Sequence, residues 1–275
     1  IFVSNMHALE RINGQKSLWQ KFSGSLTHWM RENSQKNAKQ NIAAHYDLSN
    51  DFFSHFLDET MAYSSGIFLS DEHSLQQASE YKFKHICDRL QLNELDHLLE
   101  IGTGWGGLAI YAAKHYGCRV TTTTLSEEQF AYAKKWVARE GLEDKINLLL
   151  KDSRDLEGRF DKLVSVEMIE AVGAKYYSKY FSKCNELLNE DGLMLIQAIT
   201  ISDQRFQQSV KSMDFIKCYI FPGGQLPSNS VISKHIANDT NMQLVGMEDI
   251  TLDYAKTLMH WRKRFFEKID EVKQL

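Results

Sequence analysis

Apolar and polar positions change their spacing near Asn93. Ahead of it, Leu18, Phe22, Leu26 and Met30 recur at intervals of four within a polar stretch, which predicts one amphipathic helix in residues 1–40. Its polar face is not strongly basic, so packing on the rest of the protein is favoured over a cover for an apolar site or a membrane-surface contact. Beyond Asn93, short apolar or β-branched runs alternate with helical periodicity. Strands are predicted at Leu98–Ile101, Arg119–Thr124, Ile146–Leu150, Phe160–Val166, Leu193–Ile201 and Gln243–Ile250, and helices at Gly107–His115, Glu127–Arg139 and about Lys175 to Leu188. This alternation predicts an α/β fold with a mostly parallel sheet and helices on both faces. Ligands in such folds bind at the carboxyl ends of the strands. That rule singles out the loops at 102–107, 124–129, 151–154, 167–173 and 197–203. Both prolines, Pro222 and Pro227, bracket FPGGQLP, which reads either as a turn between helices or as a shaped loop over the site.

Composition narrows the class. The 275 residues are 43% hydrophobic and 25% charged, as expected for a globular protein holding one full α/β domain or two small ones. A net charge of −4 argues against nucleic-acid binding through overall positive charge. No apolar run approaches the roughly 20 residues that span a bilayer, and no signal peptide is visible, so a cytoplasmic location is expected. Cys87, Cys118, Cys184 and Cys218 form no C-x-x-C, which predicts unpaired thiols in a reducing compartment. The ten histidines show no zinc-binding spacing, so no metal site is expected. The chain opens on Ile1 and stops within a helical pattern at Leu275, and both ends are expected to continue in the natural protein.

The chemistry concentrates in LLEIGTGWGG, Leu98 to Gly107. Gly102, Gly104 and Gly107 spell the dinucleotide fingerprint G-x-G-x-x-G. Glu100, Gly102, Gly104 and Gly106 spell E-x-G-x-G-x-G, a pattern of methyltransferases that use S-adenosylmethionine. A dinucleotide site needs an acid at the end of the second strand for the ribose, about 20 residues on. Here that strand ends Thr121-Thr122-Thr123-Thr124-Leu125, with no acid before Glu127. Glu100 can bond loop amides or help balance a cationic sulfonium. These features favour S-adenosylmethionine. Ser126 and Gln129 also fit a capping box, so Gln129 reads either as a helix cap or, with Thr124, as a neutral ribose contact.

Taken in order, NIAAHYDLSNDFFSHFLDETMAYSSGIF, LLEIGTGWGG, TTTTLSEEQ, MIEAVG, IQAITISD, DFIKCYIFPGGQLPS and YAKTLMHWRKRF resemble the cyclopropane-fatty-acid and mycolic-acid cyclopropane synthases. These are methyltransferases that modify lipid acyl chains, and the resemblance runs from about Asn41 to Phe266. It implies a class I S-adenosylmethionine-dependent methyltransferase fold over 41–275 with seven strands, the last beyond Leu275, and an apolar acyl channel. Residues 1–40 stand apart as an N-terminal helical segment. The resemblance assigns cofactor contacts to Tyr63, Ser64, Gly102, Gly104, Thr124, Leu125 and Gln129, with Asp152 and Ser153 at the adenine. It also implies a bicarbonate base held by Ser65, Glu170, Gln197, Ile199 and Tyr254. Two of these depart from the pattern, since the family usually has cysteine at the position of Ser65 and often histidine at that of Gln197. Read without the family, Glu170 is a cap and Tyr254 a core aromatic. The resemblance assigns no role to Glu167, and Trp105, Trp136 and Trp261 read as packing residues.

The resulting expectation is methylene transfer to the cis double bond of unsaturated phospholipid acyl chains at the inner membrane face. Alternatives are a methyl-branched lipid product, methylation of a small-molecule amine, a cofactor- or lipid-binding protein without turnover and, most weakly, an NAD-dependent dehydrogenase. The oligomeric state stays open, a homodimer included.

Overall fold

A computed structural model describes residues 49–275. The helix expected around Leu18–Met30 lies outside the described residues. Five parallel strands form one sheet: β1 (His97–Ile101), β2 (Arg119–Thr124), β3 (Ile146–Leu150), β4 (Phe160–Val166) and β5 (Leu188–Gln197), in the order β3-β2-β1-β4-β5. The chain winds outward from β1 through β2 to β3, then returns to place β4 on the other side of β1. The topological switch therefore lies between β1 and β4, and the crevice there is where such folds bind ligands.

Alternation along β1 builds two cores at once. Leu98 packs on one face with Phe83 and Ile86 of α2 (Leu75–Arg89), Leu108 and Ala112 of α3 (Gly107–Tyr116) and Val137 of α4 (Glu127–Arg139). Leu99 and Ile101 pack on the other face with Tyr177, Phe181 and Cys184 of α6 (Tyr177–Leu187). α5 is the short turn Ile169–Val172 that follows β4. Cys87, Cys118 and Cys184 are buried and unpaired.

A third cluster sits apart from the sheet. Phe53 of α1 (Asn50–Ser54), Phe56, Leu57, Met61, Phe68, Trp105 and Trp261 form it, with Tyr63 and Tyr254 packed alongside. Helix α9 (Thr251–Glu267) clamps the segment around Ser65: Gly66 N–H donates to Thr257 Oγ1 at 3.0 Å and Phe68 N–H to Asp253 Oδ1 at 2.9 Å. Three more helices complete the described chain, α7 (Asp203–Lys211), α8 (Asn229–Asp239) and α10 (Ile269–Val272).

Two strand expectations are corrected. β5 begins at Leu188 and ends at Gln197 instead of running from Leu193 to Ile201. A bulge between Phe160 and Lys162 accommodates the polar Asn189–Gly192 stretch. The strand stops at Gln197 because Ile199 N–H turns to the Glu170 carboxylate and Ile201 N–H to the Pro227 carbonyl. Gln243–Ile250 is not a strand. It joins no ladder of the sheet, and Val245 is 87% exposed. Apolar alternation gives a strand only where a neighbouring strand pairs with its backbone. The sheet described thus has five strands, where the family resemblance implied seven.

Candidate active site

The glycine loop turns at the carboxyl end of β1, where Gly102, Gly104 and Gly106 have φ of +100°, +52° and +100°. The left-handed positions follow the E-x-G-x-G-x-G spelling, while Gly107 opens α3. A Cβ on Gly102 would lie 2.4 Å from Met168 Cγ, and one on Gly104 would meet nothing within 4 Å. The first glycine is thus required by packing, whereas the second faces open space. A Gly102→Ala variant is expected to lose at least ~2 kcal/mol in urea unfolding, because left-handed strain of about 1–2 kcal/mol adds to the overlap. Gly104→Ala should lose about half of that, since only the strain term applies. Equal losses in the two variants would contradict the assignment.

The four threonines of β2 each have a partner. Thr121 Oγ1 meets His97 Nε2 at 2.9 Å, and Thr122 Oγ1 lies 2.5 Å from Glu100 Oε2 and 2.7 Å from Thr103 Oγ1. Thr123 donates to the Lys151 carbonyl, and Thr124 Oγ1 donates to Gln129 Oε1 at 2.9 Å. Glu100 is therefore bonded to Thr122 beneath the loop. Only half of the predicted capping box forms. Ser126 Oγ accepts from Gln129 N–H at 3.2 Å, but Ser126 N–H donates to Thr124 Oγ1 at 3.1 Å. The Gln129 side chain is thus held at the end of β2 by Thr124, next to Leu125. Beyond β3, Asp152 binds Arg154 Nε at 2.8 Å and Nη2 at 2.6 Å, and Ser153 starts a short turn.

One cation reaches under the loop. Lys82 lies on the apolar stripe of α2 and is 1% exposed, with Nζ 2.5 Å from Ser64 Oγ. Burial pulls its pKa down to about 8, against the charges of Glu167, Asp58 and Glu100. Burial likewise pushes Glu100 up to about 8, opposed by the Thr122 hydrogen bond and by Lys82. Tyr63, adjacent to Ser64, stacks on Trp261 with ring centres 5.3 Å apart. Trp105 is buried and donates from Nε1 to Asn50 Oδ1 at 2.7 Å.

At the mouth of β4 two carboxylates stand side by side. Glu167 accepts Ser65 N–H at 2.9 Å, Gln197 Nε2 at 2.8 Å and the Tyr254 hydroxyl at 3.3 Å. Its own N–H donates to the Gln197 carbonyl at 2.7 Å, and its φ is +51°, a left-handed value for a residue with a side chain. Ser65 Oγ turns away to the Gly66 carbonyl. Glu170 accepts Ile199 N–H at 2.5 Å on Oε1, while its buried Oε2 has no hydrogen-bond partner. Burial raises the pKa of both acids, that of Glu170 to about 8, and the charge of Glu167 adds to the rise at Glu170. The FPGGQLP loop packs on this corner as a shaped loop: Gln225 N–H donates to the Glu170 carbonyl at 2.8 Å, and the Tyr177 hydroxyl donates to the Gln225 carbonyl.

A loop of left-handed glycines follows β1 at the switch point, two buried acids follow the neighbouring strand β4, and Trp105 of the loop belongs to the aromatic cluster. Residues 33–275 match the family described as mycolic acid cyclopropane synthetase. The chain belongs to that family. It is 39% identical over 248 residues to a probable fatty acid methyltransferase of Pseudomonas putida, covering 89% of this chain and 63% of the relative. It is 39% identical over 228 residues to the cyclopropane-fatty-acyl-phospholipid synthase of Escherichia coli K12, covering 83% of this chain and 57% of the relative. The chain thus spans about three-fifths of the length of these curated relatives. Among solved structures, a mycolic acid cyclopropane synthase complexed with SAH and CTAB superposes with a TM-score of 0.79 at 30% identity, covering 85% of each chain. The fold is that of the class I S-adenosylmethionine-dependent methyltransferases, as the family resemblance implied.

Within this family member the five residues expected to share one anion divide into two groups. Ser65, Gln197 and Tyr254 converge on Glu167, and Ile199 pairs with Glu170. Sequence reasoning passed over Lys82 and left Glu167 without a role. An acid as the first residue past β4 was the available signal for Glu167, and a lysine between Ser79 and Phe83 on an apolar helical stripe was the signal for Lys82.

Proposed function

We propose that this chain uses S-adenosylmethionine to place a one-carbon unit on the cis double bond of an unsaturated acyl chain, yielding a cyclopropane in a phospholipid at a membrane surface. The observation that carries the proposal is the pairing of an open glycine loop with two buried carboxyls, one of them gathering three donors, beside an aromatic wall. An alkene is a weak nucleophile, so it needs a strong electrophile held close in a pocket that excludes water. Such positioning is worth about 7–11 kcal/mol at best. Once alkylated, the alkene carries positive charge, and one proton must leave. Transfer to an oxygen or nitrogen nucleophile would not require an acceptor for a carbon-bound proton.

In this reading, S-adenosylmethionine when bound supplies an electrophilic methyl on a cationic sulfur. Gly102, Gly104, Tyr63, Ser64, Thr124, Leu125 and Gln129 hold it, with Asp152 and Ser153 toward the adenine. Lys82 fixes Ser64, and Glu100 holds Thr122 beneath the loop. Ser65, Gln197, Tyr254, Ile199 and Glu170 shape the reacting end. The complex of the solved relative with SAH and CTAB supports the binding of such a cofactor and of a long-chain amphiphile. Among the described residues no helix is long and apolar enough to cross a membrane, so lipid would be met at its surface. A second reading, a methyl-branched product, is favoured by the likeness to a fatty acid methyltransferase.

Liposomes of unsaturated phospholipid with methyl-deuterated S-adenosylmethionine decide between them. Two retained deuterons with ring protons in the proton spectrum are expected, and three retained deuterons would establish the methyl-branched product. Label appearing in amines but in no lipid would sink both readings.

A further inference from the structure

The family resemblance implies a bound bicarbonate as base, held by donors from Ser65, Gln197, Ile199 and Tyr254. In this structure those donors already have protein acceptors. Ser65 N–H, Gln197 Nε2 and the Tyr254 hydroxyl go to Glu167, and Ile199 N–H goes to Glu170. An added anion would find these N–H and O–H donors taken and would have to displace Glu167 from three of them, leaving it only the buried, unpartnered Oε2 of Glu170. The cluster does not fit bicarbonate. A carboxylate has the same planar O–C–O fork and supplies it from the chain itself.

We infer that Glu167 is the built-in proton acceptor of this enzyme, its carboxylate standing where the family resemblance places bicarbonate, so that the reaction runs without that ion. The inference rests on the alkene reading above. A second observation, independent of the hydrogen bonds, supports it. Glu167 is held at φ +51° although it has a Cβ, and strain of this kind in a non-glycine residue persists where the surrounding structure enforces it, commonly at functional sites. The backbone there is pinned by the Gln197 carbonyl. Three donors and the charge of Lys82 favour its ionised form, whereas Glu170 has the single Ile199 donor and an orphaned Oε2. Of the two acids, Glu167 is the one equipped to be an anion.

The step balances. The electron pair of the double bond forms a carbon–carbon bond to the donor methyl, and the carbon–sulfur bond breaks with its pair left on sulfur as a thioether. Positive charge passes to the neighbouring lipid carbon. A C–H bond of the new methyl group then breaks, its electrons close the three-membered ring, and the proton goes to Glu167. The carboxylate becomes a carboxylic acid and the lipid becomes neutral.

The test has one arm that does not depend on turnover. Titrating 13C-labelled bicarbonate into the SAH-loaded wild-type protein should leave the carbon resonance unbroadened, while Glu167→Gly, which frees the three donors and relieves the strained φ, should broaden it. In the second arm, carbon dioxide is stripped from the buffer and lipid labelling is followed. The wild-type rate should not change. Glu167→Gly should fall about 10²–10⁴-fold, the usual worth of a positioned base, and recover in large part on adding bicarbonate. Glu167→Gln keeps the side-chain shape and should fall as far with no recovery, while binding SAH as the wild type does. Bicarbonate binding by the wild type, a wild-type rate that drops without carbon dioxide, or a fully active Glu167→Gln protein would overturn the inference. If no protein labels lipid, the alkene reading fails, and the titration still decides what occupies the cluster.

Discussion

A Lys82→Met variant is expected to unfold with about 1–3 kcal/mol less stability at pH 7.5, the cost of leaving a buried polar partner without its hydrogen bond. Methionine fills nearly the same volume and suits the apolar stripe of α2, where Ala78, Phe83 and Ile86 surround the position. Packing therefore changes little, and the loss is electrostatic. Ser64 Oγ loses its donor, and Glu100 and Glu167 lose the positive charge that opposes their desolvation. The deficit should shrink at pH 5, because Glu100, raised to about 8, is then protonated and needs no counter-charge. A Lys82→Met/Glu100→Gln double variant should recover part of the loss at pH 7.5, since contacting charged residues do not act additively. Urea unfolding of the three variants at both pH values measures all of this. A deficit independent of pH and untouched by the second change would mean that Lys82 serves only to fill space.

Glu170→Gln is expected to gain stability over the wild type as the pH rises. A group whose folded pKa lies above its unfolded value stabilises the fold fully below the unfolded pKa, near 4.5 here, and loses that contribution as the pH rises through about 8. Glu170 therefore gives the wild type a stability that falls across this window, and Glu100, also raised to about 8, adds a slope of the same sign. Lys82, lowered to about 8, acts in the opposite direction only at higher pH, where stability should rise toward the ordinary lysine pKa. Glutamine in place of Glu170 keeps an oxygen for Ile199 N–H and removes the ionisation. The variant should match the wild type near pH 5 and exceed it by on the order of 2–4 kcal/mol at pH 8.5, leaving the slope due to Glu100. Its turnover at pH 7 should fall far less than that of Glu167→Gln, because the Glu170 carboxyl is already neutral there. A stability slope identical to wild type, or a turnover loss as deep as that of Glu167→Gln, would show that Glu170 is ionised and acts as the base itself.

Local order was legible in the residues alone. Period-two and helical spacing located β1, β2, β3 and β4, and the helices beside them, because side-chain direction along a strand or helix is a property of neighbouring residues. The spacing of Glu100, Gly102, Gly104 and Gly106 likewise chose between two loop types, and the three left-handed φ values fall on those glycines. Where pairing partners were needed, spacing alone was insufficient. Gln243–Ile250 has the alternation of a strand and no neighbour, and β5 ends early because Ile199 finds a carboxylate instead of a ladder. The half-formed capping box shows the same limit, since Thr124 intercepts the bonds that Ser126 and Gln129 would otherwise exchange.

What only the tertiary structure decided is the centre on which the acid cluster converges. Ser65 and Tyr254 stand 102 and 87 positions from Glu167, on a loop and on α9, and only the clamp of α9 on the 65–68 segment brings their donors to one carboxylate. Lys82 reads as an ordinary helix lysine until α2 packs against the sheet and closes it off from water. Hydrogen-bond and charge partners are fixed by distance in space, and a chain carries that information only once it is folded. The sequence by itself thus determined the family, the sheet's first four strands and the glycine loop at the switch point, while tertiary packing decided on which acid the donors converge.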